Sequence, residues 1–127
     1  MASTSVTREF LANGIGDGIG QKVTGTATGS TVLVHTSGST SPVAGHKCDE
    51  VYLWAYNDDA SADVLLTLEI GGTTVPDNLI RDSIPARAGK KLVLSGMAIG
   101  TSITIKAFAG TANVVVLYGY VDRMVEQ

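Results

Sequence analysis

Apolar residues recur at every second position in segment after segment, and that period limits what the chain can fold into. In Glu50–Tyr56 the side chains of Val51, Leu53 and Ala55 fall on one face of an extended strand, and those of Tyr52, Trp54 and Tyr56 on the other. Val64, Leu66, Leu68 and Ile70 share one face of the segment 63–70, and Ile103, Ile105 and Ala107 alternate with Thr104, Lys106 and Phe108. Further strands are expected at 31–36, 79–84, 90–95 and 112–122, the last apolar enough to be buried on both faces. Turn chemistry fills most gaps: a cluster over Gly38–Pro42, Asn57–Ser61, Gly71-Gly72, the stretch around Pro76, Ala86–Gly89 and Gly110-Thr111. No segment carries an amphipathic helical pattern, although 121–127 would accommodate a terminal helical turn. Parallel α/β folds need helical crossovers. The spacing therefore predicts an all-β fold, an antiparallel β-sandwich or jelly roll of about 7–8 strands.

The length of 127 residues suits one such domain, and 44% hydrophobic against 17% charged residues is too apolar for a disordered chain. Residues 1–30 nevertheless differ from the rest. In Asn13–Gly20 glycine occupies every second position, with Ile15 and Ile19 between, and such a stretch gains little from packing on its own. Residues 1–30 are therefore expected to form an extended Gly-rich N-terminal arm or first strand that gains order against another surface, with Phe10, Leu11, Ile15 and Ile19 as anchors. A surface loop or tail is the alternative. Residues 31–127 form the expected sandwich domain.

Several functions are disfavoured. The formal net charge is −3, and Arg81, Arg87, Lys90 and Lys91, interrupted by Asp82, read as a solvated loop face rather than a phosphate-binding stripe. No nucleic-acid partner is expected. Cys48 is the single cysteine, so no intrachain disulfide forms, as suits a reducing compartment. Met1–Glu9 lacks the apolar stretch of a signal peptide, and the longest apolar run, Val114–Val121, falls short of the ~20 residues of a membrane helix. A soluble protein without membrane contact, made in a cytoplasm, is expected.

The glycines of 14–20 are not followed by the Gly-Lys-Ser/Thr of a phosphate loop. Counting from Gly14 or Gly16, the sixth position of the dinucleotide pattern holds Ile19 or Gln21. His46 and Cys48, with His35 upstream, lack zinc-ligand spacing. Asp58, Asp59 and Asp63 lack the alternation of a calcium loop and read as a solvated turn. No Gly-x-Ser-x-Gly occurs, and most acidic residues sit in turns, which favours solvation over a catalytic carboxylate pair. No catalytic residue, metal or cofactor is expected. The stripe Tyr52, Trp54 and Tyr56 has the most functional potential, and three uses stay open: core packing, the centre of a protein interface, or a sugar-binding platform.

From Glu50 to Arg123 a set of strand-and-turn pieces is familiar. It comprises Glu50-Val51-Tyr52-Leu53-Trp54-Ala55-Tyr56-Asn57, Ile70-Gly71-Gly72-Thr73-Thr74, Pro76-Asp77, Leu79-Ile80, Ser83-Ile84-Pro85-Ala86, Ala107-Phe108-Ala109, Ala112-Asn113 and Gly119-Tyr120-Val121-Asp122-Arg123. Over this half of its length the chain resembles small virion proteins from the structural modules of tailed bacteriophages. The resemblance implies a capsid decoration (cement) protein or another head component, built as a β-sandwich or jelly roll, without catalytic residues and commonly trimeric. The expectation is a homotrimer on the capsid surface of the virion that bridges subunits of the major capsid protein and stabilises the assembled head. A head–tail connector, tail or baseplate subunit is the alternative, and a carbohydrate-binding module using Tyr52, Trp54 and Tyr56 is a second. The glycine-rich N-terminus lies outside the resemblance.

Overall fold

Backbone groups of an alternating strand need partners on both sides, and the pairing that meets this need sets the architecture. The computed structural model describes residues 3–13, 18–38 and 44–126. Among them are β1 (Thr4–Phe10), β2 (Gln21–Lys22), β3 (Val32–Thr36), β4 (His46–Asn57), β5 (Val64–Ile70), β6 (Leu79–Ile84), β7 (Lys91–Ile99), β8 (Thr104–Ala109) and β9 (Val115–Glu126), with no helix. Two antiparallel sheets result. The first runs β1-β9-β4-β7, with β2 also on β9, and the second runs β3-β8-β5-β6. β1 and β2 lie end to end on one edge of β9, since β1 pairs with residues 120–126 and Gln21 and Lys22 with Leu117 and Val116.

The inner faces of both sheets feed one apolar cluster. Val51, Leu53 and Ala55 of β4 and Val115, Leu117 and Val121 of β9 come together in it with Leu66 and Leu68 of β5, Ile84 of β6 and Ile105 and Ala107 of β8. All of these are at most 1% exposed, and each Leu, Ile or Val so buried contributes about 1.5–3 kcal/mol. The fold is thus a β-sandwich in arrangement, with its core between the sheets.

Within residues 1–30, Thr4–Phe10 is an edge strand, and Leu11 and Val23 belong to the same core as β4 and β9. The edge of β9 needs a partner, and this segment supplies one. Two expectations need correcting. Residues 121–126 continue β9 and form no helical turn, because that stretch pairs with β1 on one side and β4 on the other. Only one face of β9 is fully buried, since its residues alternate between buried and half-buried over most of the strand.

The turn after β4 is held by its own side chains. Asn57 is fully buried; its Nδ2 donates to the carbonyls of Ala62 and Ile84, and its Oδ1 accepts the Asp59 N–H. The Asp59 carboxylate accepts the N–H groups of Ser61 and Ala62, which hold its carboxyl below the usual range. Asp63 accepts the Ala86 N–H, and Asp58 takes the Tyr56 hydroxyl at 2.9 Å. These acidic side chains thus tie down backbone and a neighbouring ring.

Candidate adhesion face and buried polar cluster

Register decides which side of β4 faces out. Val51, Leu53 and Ala55 are fully buried, so Tyr52, Trp54 and Tyr56 lie on the outer face of the first sheet, half-buried. This corrects the core-packing option for the stripe. The β4–β9 register sets Tyr52 opposite Tyr120, Trp54 opposite Tyr118 and Tyr56 opposite Val116. Tyr52 and Tyr120 stack with ring centroids 5.1 Å apart, and Trp54 lies 5.9 Å from Tyr120 at 39°. β1 adds Phe10 beside Tyr120 and Arg8 beside Asp122. The Arg8 guanidinium sits 4.1 Å over the Tyr120 ring and donates to the Asp122 carboxylate at 3.0 Å. Tyr120 thus ties the stripe to β9 and β1, with Tyr52 and Trp54 on one side and Arg8 over its ring.

The four N-terminal anchors separate. Phe10 is 57% and Ile19 63% exposed, Leu11 is buried in the core, and Ile15 lies outside the described residues. With Val6 and Leu92, also well exposed, Phe10 and Ile19 extend the apolar outer surface of this sheet toward its edges. Glycine is what lets the chain pass here. A Cβ on Gly20 would stand 2.6 Å from the Tyr118 ring and 2.7 Å from the Val116 side chain, inside contact distance. A hollow of about 480 Å³ opens where β1 gives way to β2, lined by Arg8, Phe10, Gly18, Gly119 and Tyr120, with Glu9 at its side.

Between the sheets lies a polar cluster that the sequence pattern did not single out. The Asp49 carboxylate is fully buried and takes five N–H groups. Arg123 grips it with Nε and Nη2 at 2.9 and 3.0 Å, His35 Nε2 lies at 2.8 Å, His46 Nε2 at 2.9 Å and the Gly38 N–H at 3.1 Å. Burial alone would push the Asp49 carboxyl up, but the bonds from His35, Arg123, His46 and Gly38 together outweigh it and hold it well below the usual carboxylate range. Arg123 is 2% exposed and also lies 3.7 Å from Glu9. His35 accepts the Ala12 N–H at its Nδ1, which fixes the proton on Nε2, facing Asp49. The cluster therefore joins β3, β4 and β9 and fastens residue 12 to them.

A His–Asp hydrogen bond is also part of a hydrolase triad. Here His35 and Asp49 are both fully buried, and their polar atoms already hold protein partners, so the pair is placed to brace the fold. The residues weighed as metal ligands are taken up by protein partners in the same way. His35 and His46 both turn to Asp49, while Cys48 places its Sγ 3.7 Å from Met124 Sδ. Burial, then Glu50 and Asp49, push the Cys48 thiol up, away from thiolate reactivity. Among the described residues no three His, Cys, Asp or Glu side chains group as metal ligands do.

A signal for the cluster was present. Asp49 is in phase with Val51, Leu53 and Ala55, and Arg123 with Val121 and Val125, and a charge at a core position of a strand calls for an opposite charge nearby. The chain matches no protein-family model, and no curated protein is significantly similar to it in sequence.

Proposed function

We propose that this chain is a capsid decoration protein of a tailed bacteriophage, acting by adhesion through the outer face of the β1-β9-β4-β7 sheet. The observation that carries the proposal is that face itself. It gathers Phe10, Tyr52, Trp54, Tyr118 and Tyr120 on neighbouring strands, with Val6, Ile19 and Leu92 exposed around them. Large exposed apolar patches mark interaction surfaces, and Tyr and Trp are the side chains that most often dominate them.

The strand orders support a jelly roll. With β1 and β2 filling one position, pairing is nested: β1/β2 with β9, β3 with β8, β4 with β7 and β5 with β6. Jelly rolls serve as viral capsid and lectin domains, so topology agrees with the phage resemblance of residues 50–123 without identifying a function alone. The partner is the major capsid protein. A homotrimer would multiply contacts that are individually weak.

The test is binding of the purified full-length chain to phage heads that lack it. Binding is expected to saturate at a copy number set by the capsid lattice and to raise the temperature at which heads disrupt. Trp54→Ala and Tyr120→Ala are each expected to weaken binding by about 10- to 100-fold. Saturation at a single ring of copies would assign the chain to a connector or tail position instead. Undiminished binding by both variants would overturn the assignment of the face.

A further inference from the structure

The opposite sheet carries a second feature that adhesion through the aromatic face does not use. Thr67 and Glu69 on β5 point away from the core, yet they are only 2% and 3% exposed. The segments 24–31 and 71–78 rise on either side of them and leave a cleft of about 420 Å³. Glu69 forms part of its wall, together with Thr26, Thr28, Thr73, Arg81 and Phe108. A smaller hollow of about 180 Å³ adjoins it, where Glu69 and Thr73 meet Thr104 and Lys106.

We propose that this cleft binds a neutral, hydroxyl-rich ligand the size of one hexose, such as a terminal sugar residue of a glycan. Among the described residues no buried side-chain oxygen lacks a partner, so the Glu69 oxygen that Thr28 does not hold is open to the cleft. Among the described residues the hydrogen bond made to Glu69 is that of the Thr28 hydroxyl, at 2.5 Å, whereas an ionised carboxylate has about four lone-pair sites. A ligand with vicinal hydroxyls supplies the further donors. Thr26 and Thr73 offer hydroxyls of their own, and the half-buried Phe108 ring offers an apolar wall for the C–H face of a sugar.

Charge selects neutrality. An anionic ligand would meet Glu69, and a cationic one would meet Arg81 and Lys106, which line the cleft and its side hollow. The site is separate from Tyr52, Trp54 and Tyr56, which lie on the outer face of the other sheet. It stands whether or not the chain decorates a capsid.

The experiment is an amide-resolved NMR titration of the full chain with methyl α-D-glucopyranoside, methyl β-D-galactopyranoside and N-acetylglucosamine. At least one should give saturable shifts at Thr26, Thr28, Glu69 and Thr73, with a dissociation constant on the order of 1 mM. Val75 is 63% exposed at the mouth, so Val75→Trp obstructs the cleft without disturbing the core. Val75→Trp and Glu69→Gln should each weaken binding about tenfold or more. Glucosamine and glucuronic acid should bind about tenfold more weakly than their neutral counterparts. The proposal is overturned if none of the three neutral sugars gives saturable shifts up to about 100 mM. It is equally overturned if the shifts cluster at Trp54 and Tyr120, or if Val75→Trp leaves the affinity unchanged.

Discussion

Replacing Asp49 by alanine is expected to cost about 3–5 kcal/mol of folding stability, read as a lowered urea midpoint. The effect comes less from the bonds lost than from what remains. Arg123 stays buried without the carboxylate that its Nε and Nη2 grip, and the Nε2 groups of His35 and His46 and the N–H of Gly38 lose their acceptor. The double change Asp49→Leu with Arg123→Met removes both charges together. It should recover a large part of the loss, because apolar replacement of a buried pair is often neutral or stabilising. A wild-type-like midpoint for Asp49→Ala would show that the carboxylate is not buried as described.

Acid should act through the same residue. The native carboxyl of Asp49 titrates below its unfolded value of about 4, so the unfolded chain binds the extra proton first. The contribution of Asp49 is therefore complete above about pH 4–5 and is lost progressively as the pH falls toward the lower native value. Urea midpoints taken at stepwise lower pH should fall through this window for the wild type and fall less steeply for Asp49→Asn.

Gly119→Ala is expected to cost about 3 kcal/mol or more, beyond the usual range for one added methyl group. A Cβ at position 119 would stand 2.2 Å from the Tyr52 carbonyl oxygen and 3.2 Å from the Leu53 Cα, so the obstacle is backbone and not a movable side chain. Relief requires β4 and β9 to part at the middle of their ladder, with loss of bonds worth about 1 kcal/mol each. Thermal unfolding and amide exchange along β4 and β9 would report it. A variant as stable as the parent, with protected amides at Leu53 and Gly119, would refute this register.

The strands that were legible are those whose two faces differ. Val64, Leu66 and Leu68 mark β5, and Ile105 and Ala107 mark β8, because apolar side chains there repeat on one face. β1 carries no such mark. In Thr4–Phe10 the residues are mostly exposed, and the strand is held by backbone pairing to a distant segment, which no local pattern reveals. β4 began earlier than expected, at His46, because His46 and Asp49 read as polar loop until Arg123 is known to lie beside them.

The aromatic stripe was legible as a stripe but not as a face, since both sides of 50–56 are apolar. Space and wetting break the tie. Small aliphatic chains fit between two sheets about 10 Å apart. The tyrosine hydroxyls and the indole N–H favour the side that reaches water, where Tyr56 finds Asp58. Tyr118 and Tyr120, which complete the face, required the β4–β9 register. The Glu69 cleft was illegible for the same reason, since its walls come from loops far apart in sequence.

Nested pairing also orders events during synthesis. β5 and β6 are joined by the segment 71–78 and can meet as soon as both have left the ribosome, whereas β9 is central to its sheet and follows β1–β8. Until residues 115–126 emerge, β1 has no neighbour and β4 lacks one of its two. The nascent chain thus carries an unfinished sheet until β9 has been made and closes it in one step after β1–β8 are present, with the long loop closures that slow such topologies.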